Sequence, residues 1–147
     1  MPSLRAIKPL AVEKRLKCLF YGPAGVGKTM ASIQFPKPYL IDCERGAENV
    51  QYVKALDKAG GAYFHTTDPD ELIKEVLTLL SEKHEYQTLV IDPLTILYDK
   101  LVEKEIEERG DEFGRYKFLS DRWTKHILSL LLRLDMNVVI TSHSKPR

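Results

Sequence analysis

The chain has 147 residues, 44% hydrophobic and 29% charged, with a formal net charge of +1. That length and balance suit one globular domain with a real core. The near-neutral charge excludes a global polycation and leaves any nucleic-acid binding to local patches.

Cys18 and Cys43 have no CxxC spacing and read as free, buried thiols of a reducing compartment, with no disulfide frame. No apolar run approaches the ~20 residues that span a bilayer. The opening stretch MPSLRAIKPLAVEKRLK has no apolar signal-peptide core. The expectation is a cytoplasmic protein with no membrane partner.

Residues 1–15 read as a loose or edge-pairing arm, with Pro2 and Pro9 as breakers, and residues 16–147 as the core domain. LKCLFY, residues 16–21, is a short apolar strand. A helix starts at Gly27 and runs to Gln34, where Pro36 and Pro38 stop it. YLIDCE, residues 39–44, is a second strand. Residues 46–59 have helical spacing at Val50, Val53 and Leu56, ended by Gly60 and Gly61. AYFH, residues 62–65, is a third strand. TTDPDEL then offers caps and a proline at a helix start, and the helix carries Leu72, Val76, Leu79 and Leu80. TLVID, residues 88–92, is a fourth strand. An acidic helix follows with Leu94, Leu97, Tyr98, Leu101 and Ile106 on one face. Residues 109–118 break the pattern. A long helix then places Trp123, Ile127, Leu130, Leu131 and Leu134 on one side, and NVVITSHS is a fifth strand.

Short strands alternating with helices imply right-handed crossovers and a mostly parallel sheet, so the fold class is α/β. Ligands of such sheets bind beyond the carboxyl ends of the strands. Polar groups gather there: Gly22 to Thr29, Asp42 and Glu44, Asp92, and Thr141 to His143.

Within the stretch LFYGPAGVGKTM, residues Gly22, Pro23, Ala24, Gly25, Val26, Gly27, Lys28 and Thr29 fit G-x-x-x-x-G-K-[ST]. The motif follows a strand and opens a helix. Glycines let the backbone curl so that successive N–H groups face phosphate oxygens. The helix N-terminus adds partial positive charge. Lys28 reaches the outer phosphates and the Thr29 hydroxyl serves Mg2+, so Gly22 through Met30 are the candidate residues for ATP. Asp92 ends an apolar strand and reads as the carboxylate on the metal side. Pro93 stands after it, where many motor ATPases carry a glutamate. A base must then come from another strand. Glu44 is the candidate, with Asp42 as the alternative. His143, past the fifth strand, is placed to sense the γ-phosphate.

GPAGVGKT, YLIDCERG, TLVIDPLT and NVVITSH, in this order, resemble the ATPase core of the RecA-like family. The likeness is nearest to short phage-encoded members, some of which act as single-strand annealing recombinases, and it covers residues 16–147. The resemblance implies a P-loop NTPase, a RecA-like three-layer sandwich. It implies that Lys28 and Thr29 bind phosphate and Mg2+, that Asp92 is the metal carboxylate and Glu44 the base, and that His143 stands at the family's polar sensor position. It implies Mg-dependent ATP hydrolysis in DNA recombination, with single-stranded DNA as partner and a bacterial host cytoplasm as location. Family members continue past the position of Arg147 with a DNA-contacting loop and at least one more strand beside the glycine-loop strand. The expectation is therefore a C-terminally truncated form. No subunit-bridging segment is recognisable, so homo-oligomer formation stays an open expectation.

Phe113, Tyr116 and Phe118 interleave with Arg115 and Lys117. Such a pattern suits base stacking on single strands; a helix connector whose aromatics cover the core is the preferred reading. The acidic run at residues 103–112 reads as a solvated helix face. Arg5, Lys8, Lys14, Arg15 and Lys17 read as solvated cations, with contact to phosphate backbones as the alternative. Two other functions remain open: a nucleotide-binding module without turnover, and a small-molecule P-loop kinase, although no arginine-rich lid stands out past Asp92. A guanine-specific switch is excluded because the Asn-Lys-x-Asp base reader is absent from the sequence.

Overall fold

The computed structural model describes residues 4–6, 8–9, 14–23, 25–44, 49–110 and 115–144, with the backbone alone at 109 and 115–119. The strands are β1 (Lys17–Gly22), β2 (Pro38–Asp42), β3 (Ala62–His65), β4 (Thr88–Asp92) and β5 (Asn137–His143). The helices are α1 (Lys28–Ser32), α2 (Val50–Ala59), α3 (Pro69–Ser81), α4 (Leu94–Arg109) and α5 (Arg115–Arg133). One sheet runs in the order β1-β5-β4-β2-β3, and every ladder in it is parallel.

The sheet has helices on both faces. Leu40, Val90 and Val139 point to the side of α1 and α2, where Ile33 and Leu56 cover them. Ile41, Leu89, Ile91, Val138 and Ile140 point the other way, onto α3, α4 and α5 through Leu72, Val76, Leu97, Ile127 and Leu131. Burial on both faces explains why β2 and β4 read as continuous apolar runs rather than alternating ones. The result is the expected three-layer α/β arrangement of a P-loop domain, with all strands delivering their carboxyl ends to one edge.

Local signals account for most boundaries. Asp68 caps α3 by accepting the Asp70 N–H at 2.9 Å, with Pro69 at the first helical position. The α3 residues Leu72, Val76 and Leu79 are buried, and so are Ile127, Leu130, Leu131 and Leu134 along and just past α5.

Several expectations need correction. α1 ends at Ser32, two residues short, because Ile33 and Gln34 leave the helix as the chain turns toward Pro36. β2 stops at Asp42, so Glu44 stands on the following loop. α2 turns Leu56 inward with Tyr52 and Ala55, and leaves Val50 68% exposed. The Val50-Val53-Leu56 stripe is thus rotated by about one position. Ile106 is exposed rather than part of the core stripe of α4. α5 begins at Arg115, so the break between the last two helices is shorter than the pattern suggests. The side chains of Phe113, Arg115, Tyr116, Lys117 and Phe118 lie outside the described residues, as do residues 145–147.

Lys17 is not a solvated cation. Its Nζ donates to the carbonyls of Leu131 (3.2 Å), Leu134 (2.8 Å) and Met136 (2.7 Å), at the C-terminal end of α5. Leu134 and Met136 follow the helix, and the Leu131 carbonyl also accepts the Leu134 N–H at 3.3 Å; the half-buried ammonium adds a charged donor at this end, where helix carbonyls run out of intrahelical partners. Burial pushes the Lys17 pKa down. Arg15 pairs with Asp135 at 3.1 Å. Cys43 is buried, but Cys18 is only half-buried, because β1 lies at the edge of the sheet.

Candidate phosphate-binding site

Gly25 and Gly27 bend the loop after β1. Their φ values are +82° and +92°, a region that side chains disfavour. Gly27 then serves as the residue before α1, and the Ala31 N–H donates to its carbonyl at 3.0 Å. The loop backbone thereby delivers Lys28 and Thr29 to the sheet edge. The Lys28 Nζ donates to the carbonyls of Gly22 and Pro23, both at 2.7 Å, so it folds back across the loop.

A cavity of about 200 Å³ lies at this edge. Gly25, Gly27, Lys28, Thr29, Glu44, Asn49, Tyr52, Asp92 and His143 line it. Lys28 and Thr29 come from the loop after β1, Glu44 from beyond β2, Asp92 from β4 and His143 from β5. The cavity therefore gathers Lys28, Thr29, Glu44, Asp92 and His143 from the site candidates of the sequence, but not Asp42, the alternative to Glu44. Gly22 and Pro23 form the root of the loop. Val26 points to solvent at 61% exposure, and Met30 packs toward Ile33 in the core. Ala24 lies outside the described residues.

Asp92 is 7% exposed, and each carboxylate oxygen accepts a hydroxyl. Thr29 Oγ1 donates to Oδ2 at 2.7 Å, and Thr141 Oγ1 donates to Oδ1 at 2.5 Å. Glu44 meets His143 through Oε1 and Nε2 at 3.0 Å. An ionised carboxylate only accepts, so the imidazole donates from Nε2. His143 Nδ1 is buried and has no hydrogen-bond partner among the described residues. The Thr95 hydroxyl, on the first turn of α4, accepts the His143 backbone N–H at 3.1 Å and holds the end of β5 in place. Asp42 does not line the cavity; its Oδ1 accepts the Glu44 N–H at 3.1 Å and shapes the turn that presents Glu44.

Cys43 lies between these groups but is no nucleophile. Burial first, and then the nearby Asp42, Asp92 and Glu44 carboxylates, push its thiol up to about 12. Among the described residues there is no cluster of three His, Cys, Asp or Glu side chains that could hold a metal. Mg2+ does not require one, because it keeps several waters and takes few protein ligands besides phosphate oxygens. The hard oxygens of Thr29 and Asp92 fit it.

Asn49, Tyr52 and Thr95 belong to this site, yet nothing in the sequence reading marks them. Tyr52 and Asn49 sit near the start of α2, and only the fold brings that helix beside the loop. Thr141 lies in the polar run at the end of β5 but has no role assigned by spacing alone.

A glycine loop between strand and helix, followed by a buried carboxylate at the end of a central parallel strand, defines a P-loop nucleotide-binding protein. A family model described as an AAA domain matches residues 14–147, and the chain belongs to that family. Among curated proteins none matches the chain. Among the described residues no helix is long and apolar enough to cross a membrane.

Proposed function

We propose that this protein binds ATP with Mg2+ and hydrolyses it, as a RecA-like ATPase working on DNA in recombination or single-strand annealing, with phage origin and single-stranded DNA as partner. Residues 16–147 are the ATP-binding core and residues 1–15 an arm. The observation that carries the ATPase reading is the 3.0 Å contact between Glu44 and His143 inside the cavity that also holds Lys28, Thr29 and Asp92. AAA domains are usually ATPases, which supports turnover. The DNA partner rests on the order of the four sequence motifs.

In this reading the loop N–H groups and Lys28 bind the phosphates, with Lys28 exchanging its carbonyl partners for phosphate oxygens. Thr29 and Asp92 hold Mg2+, which supplies charge neutralisation at the outer phosphates. Glu44 accepts a proton from water. Its Oε1 is held by His143, and Oε2 has no partner among the described residues, so it is the oxygen that takes the proton. His143 also fixes the carboxylate's orientation and stands where it can sense the γ-phosphate.

The test is ATP hydrolysis by the purified chain with and without single-stranded DNA, with Lys28→Ala as the blank. Turnover stimulated by DNA supports the whole reading. Turnover unaffected by DNA removes the DNA partner and keeps the ATPase. ATP binding without turnover, lost in the Lys28 variant, replaces the ATPase with a binding module.

A further inference from the structure

Asp92 stands at the end of the central strand with a hydroxyl on each oxygen. One comes from Thr29, in the phosphate loop. The other comes from Thr141, which is 0% exposed and belongs to β5, the strand between β1 and β4. We infer that Thr141 is a positioning residue for metal binding: its hydroxyl locks the Asp92 carboxylate in the orientation that Mg2+ requires. The inference rests on the reading of Asp92 as the metal carboxylate.

The residue type argues for it. Val139, two residues earlier on the same face of β5, is apolar and fully buried, while the polar residues of that face other than Thr141, Asn137 and His143, stand at the two ends of the strand. Valine has nearly the shape of threonine, so packing alone does not call for a hydroxyl at 141. A hydroxyl buried completely must find an acceptor, and this one finds Asp92 Oδ1 at 2.5 Å. Register fixes the encounter: Ile91 of β4 pairs with Ile140 of β5, which brings the next residues, Asp92 and Thr141, side by side.

The two hydroxyls do different work. Thr29 lines the cavity, so its bond to Asp92 competes with any use of its oxygen by a bound ion. Thr141 does not line the cavity, so its bond is free of that competition. A carboxylate held from one side by a group that never leaves keeps its plane when the other group turns away. Groups that orient ligand carboxylates in this way typically account for 10- to 100-fold in metal affinity.

The experiment uses the full chain with Thr141→Val, Thr141→Ser and Asp92→Asn. ATP affinity is measured by calorimetry in EDTA, and then as a function of Mg2+ concentration; thermal melting reports the fold. In T141V the EDTA affinity stays within about twofold, while the Mg2+ concentration for half-maximal enhancement rises roughly tenfold. T141S restores it to within about threefold of the parent, and T141V adds nothing further when combined with D92N. An unchanged Mg2+ requirement in folded T141V overturns the role of Thr141. An unchanged requirement in D92N overturns instead the reading of Asp92 itself. If T141V does not fold, Thr141→Cys, with its weaker S–H donor, replaces it. A smaller loss in the same direction is then expected, and no loss overturns the inference.

Discussion

Glu44 and His143, 99 residues apart in the chain, meet at 3.0 Å beyond the ends of β2 and β5. The strand that separates them in the sheet is β4, which ends in Asp92. The contact therefore spans the place of β4 in the sheet, and Glu44, Asp92 and His143 line one cavity.

Glu44→Gln keeps the hydrogen bond to His143 and the shape of the side chain but removes the proton acceptor. Turnover is expected to fall by about 10²- to 10⁴-fold with ATP affinity retained. On the proposed reading His143→Ala leaves the base and removes its holder, so a smaller loss is expected. Single-turnover hydrolysis alongside calorimetric ATP binding checks both. Equal turnover in E44Q and the parent would eliminate Glu44 as base.

An alanine at Gly27 meets no atom of the described residues within 4 Å, so its cost is conformational and not steric. Holding a φ near +92° with a Cβ present costs about 1–2 kcal/mol. Gly27→Ala should relax the loop, weakening ATP binding by roughly tenfold or more, with only a small drop in melting temperature. A fluorescent nucleotide titration and a thermal melt separate the two effects.

Lys17→Met preserves much of the aliphatic stem and deletes three hydrogen bonds to carbonyls at and just past the end of α5. A stability loss of about 1.5–3 kcal/mol is expected from charge-assisted bonds of this kind. Urea denaturation measures it. A variant as stable as the parent would show that water replaces the ammonium without cost.

Alkaline pH should destabilise the fold through the buried Cys43 thiol and the half-buried Tyr39 phenol. Tyr39 donates to Glu75 at 3.0 Å, and burial followed by that carboxylate pushes its pKa up to about 12; the Cys43 thiol is pushed equally high. Both bind their protons more tightly folded than unfolded. Their contribution is therefore complete below about pH 9, the ordinary thiol range, and is lost as pH rises toward 12. Denaturant midpoints should stay level from pH 8 to about 9 and decline from there toward pH 12. Tyr39→Phe should flatten the upper part of that decline.

Much of this was legible in the sequence because local signals are strong. The glycine loop, the Asp68-Pro69 cap and the apolar runs of β3 and β4 depend on neighbours in the chain. The α3 and α5 stripes follow helical spacing and face the core as expected. The α2 stripe was misread because Val50 and Val53 are apolar yet have no layer above them, and apolar residues on a surface carry no marker. Lys17 was misread because its partners are the carbonyls at the end of a helix more than 100 residues later, and no spacing rule reaches that far. Glu44, Asp92 and His143 stand out in the sequence by their places at or after strand ends, and the fold brings them to one cavity. Thr141, Thr95 and Tyr52 depend on which strand lies beside which, and that order, with β5 between β1 and β4, is a property of the whole sheet.

The two halves of the site have unequal foundations. The phosphate loop hangs from β1, which has one neighbour among the described strands and leaves Leu19 and Tyr21 mostly exposed. Asp92 hangs from β4, which is buried along its whole length with a strand on either side. Hydrogen exchange should accordingly be much faster along β1 than along β4, because an edge strand opens without global unfolding. Each opening would part Thr29 from Asp92 while the rest of the sheet stays intact. Nucleotide escape can then follow the fraying of a single strand, and any partner that lies against β1 would lengthen the residence time of ATP without touching it.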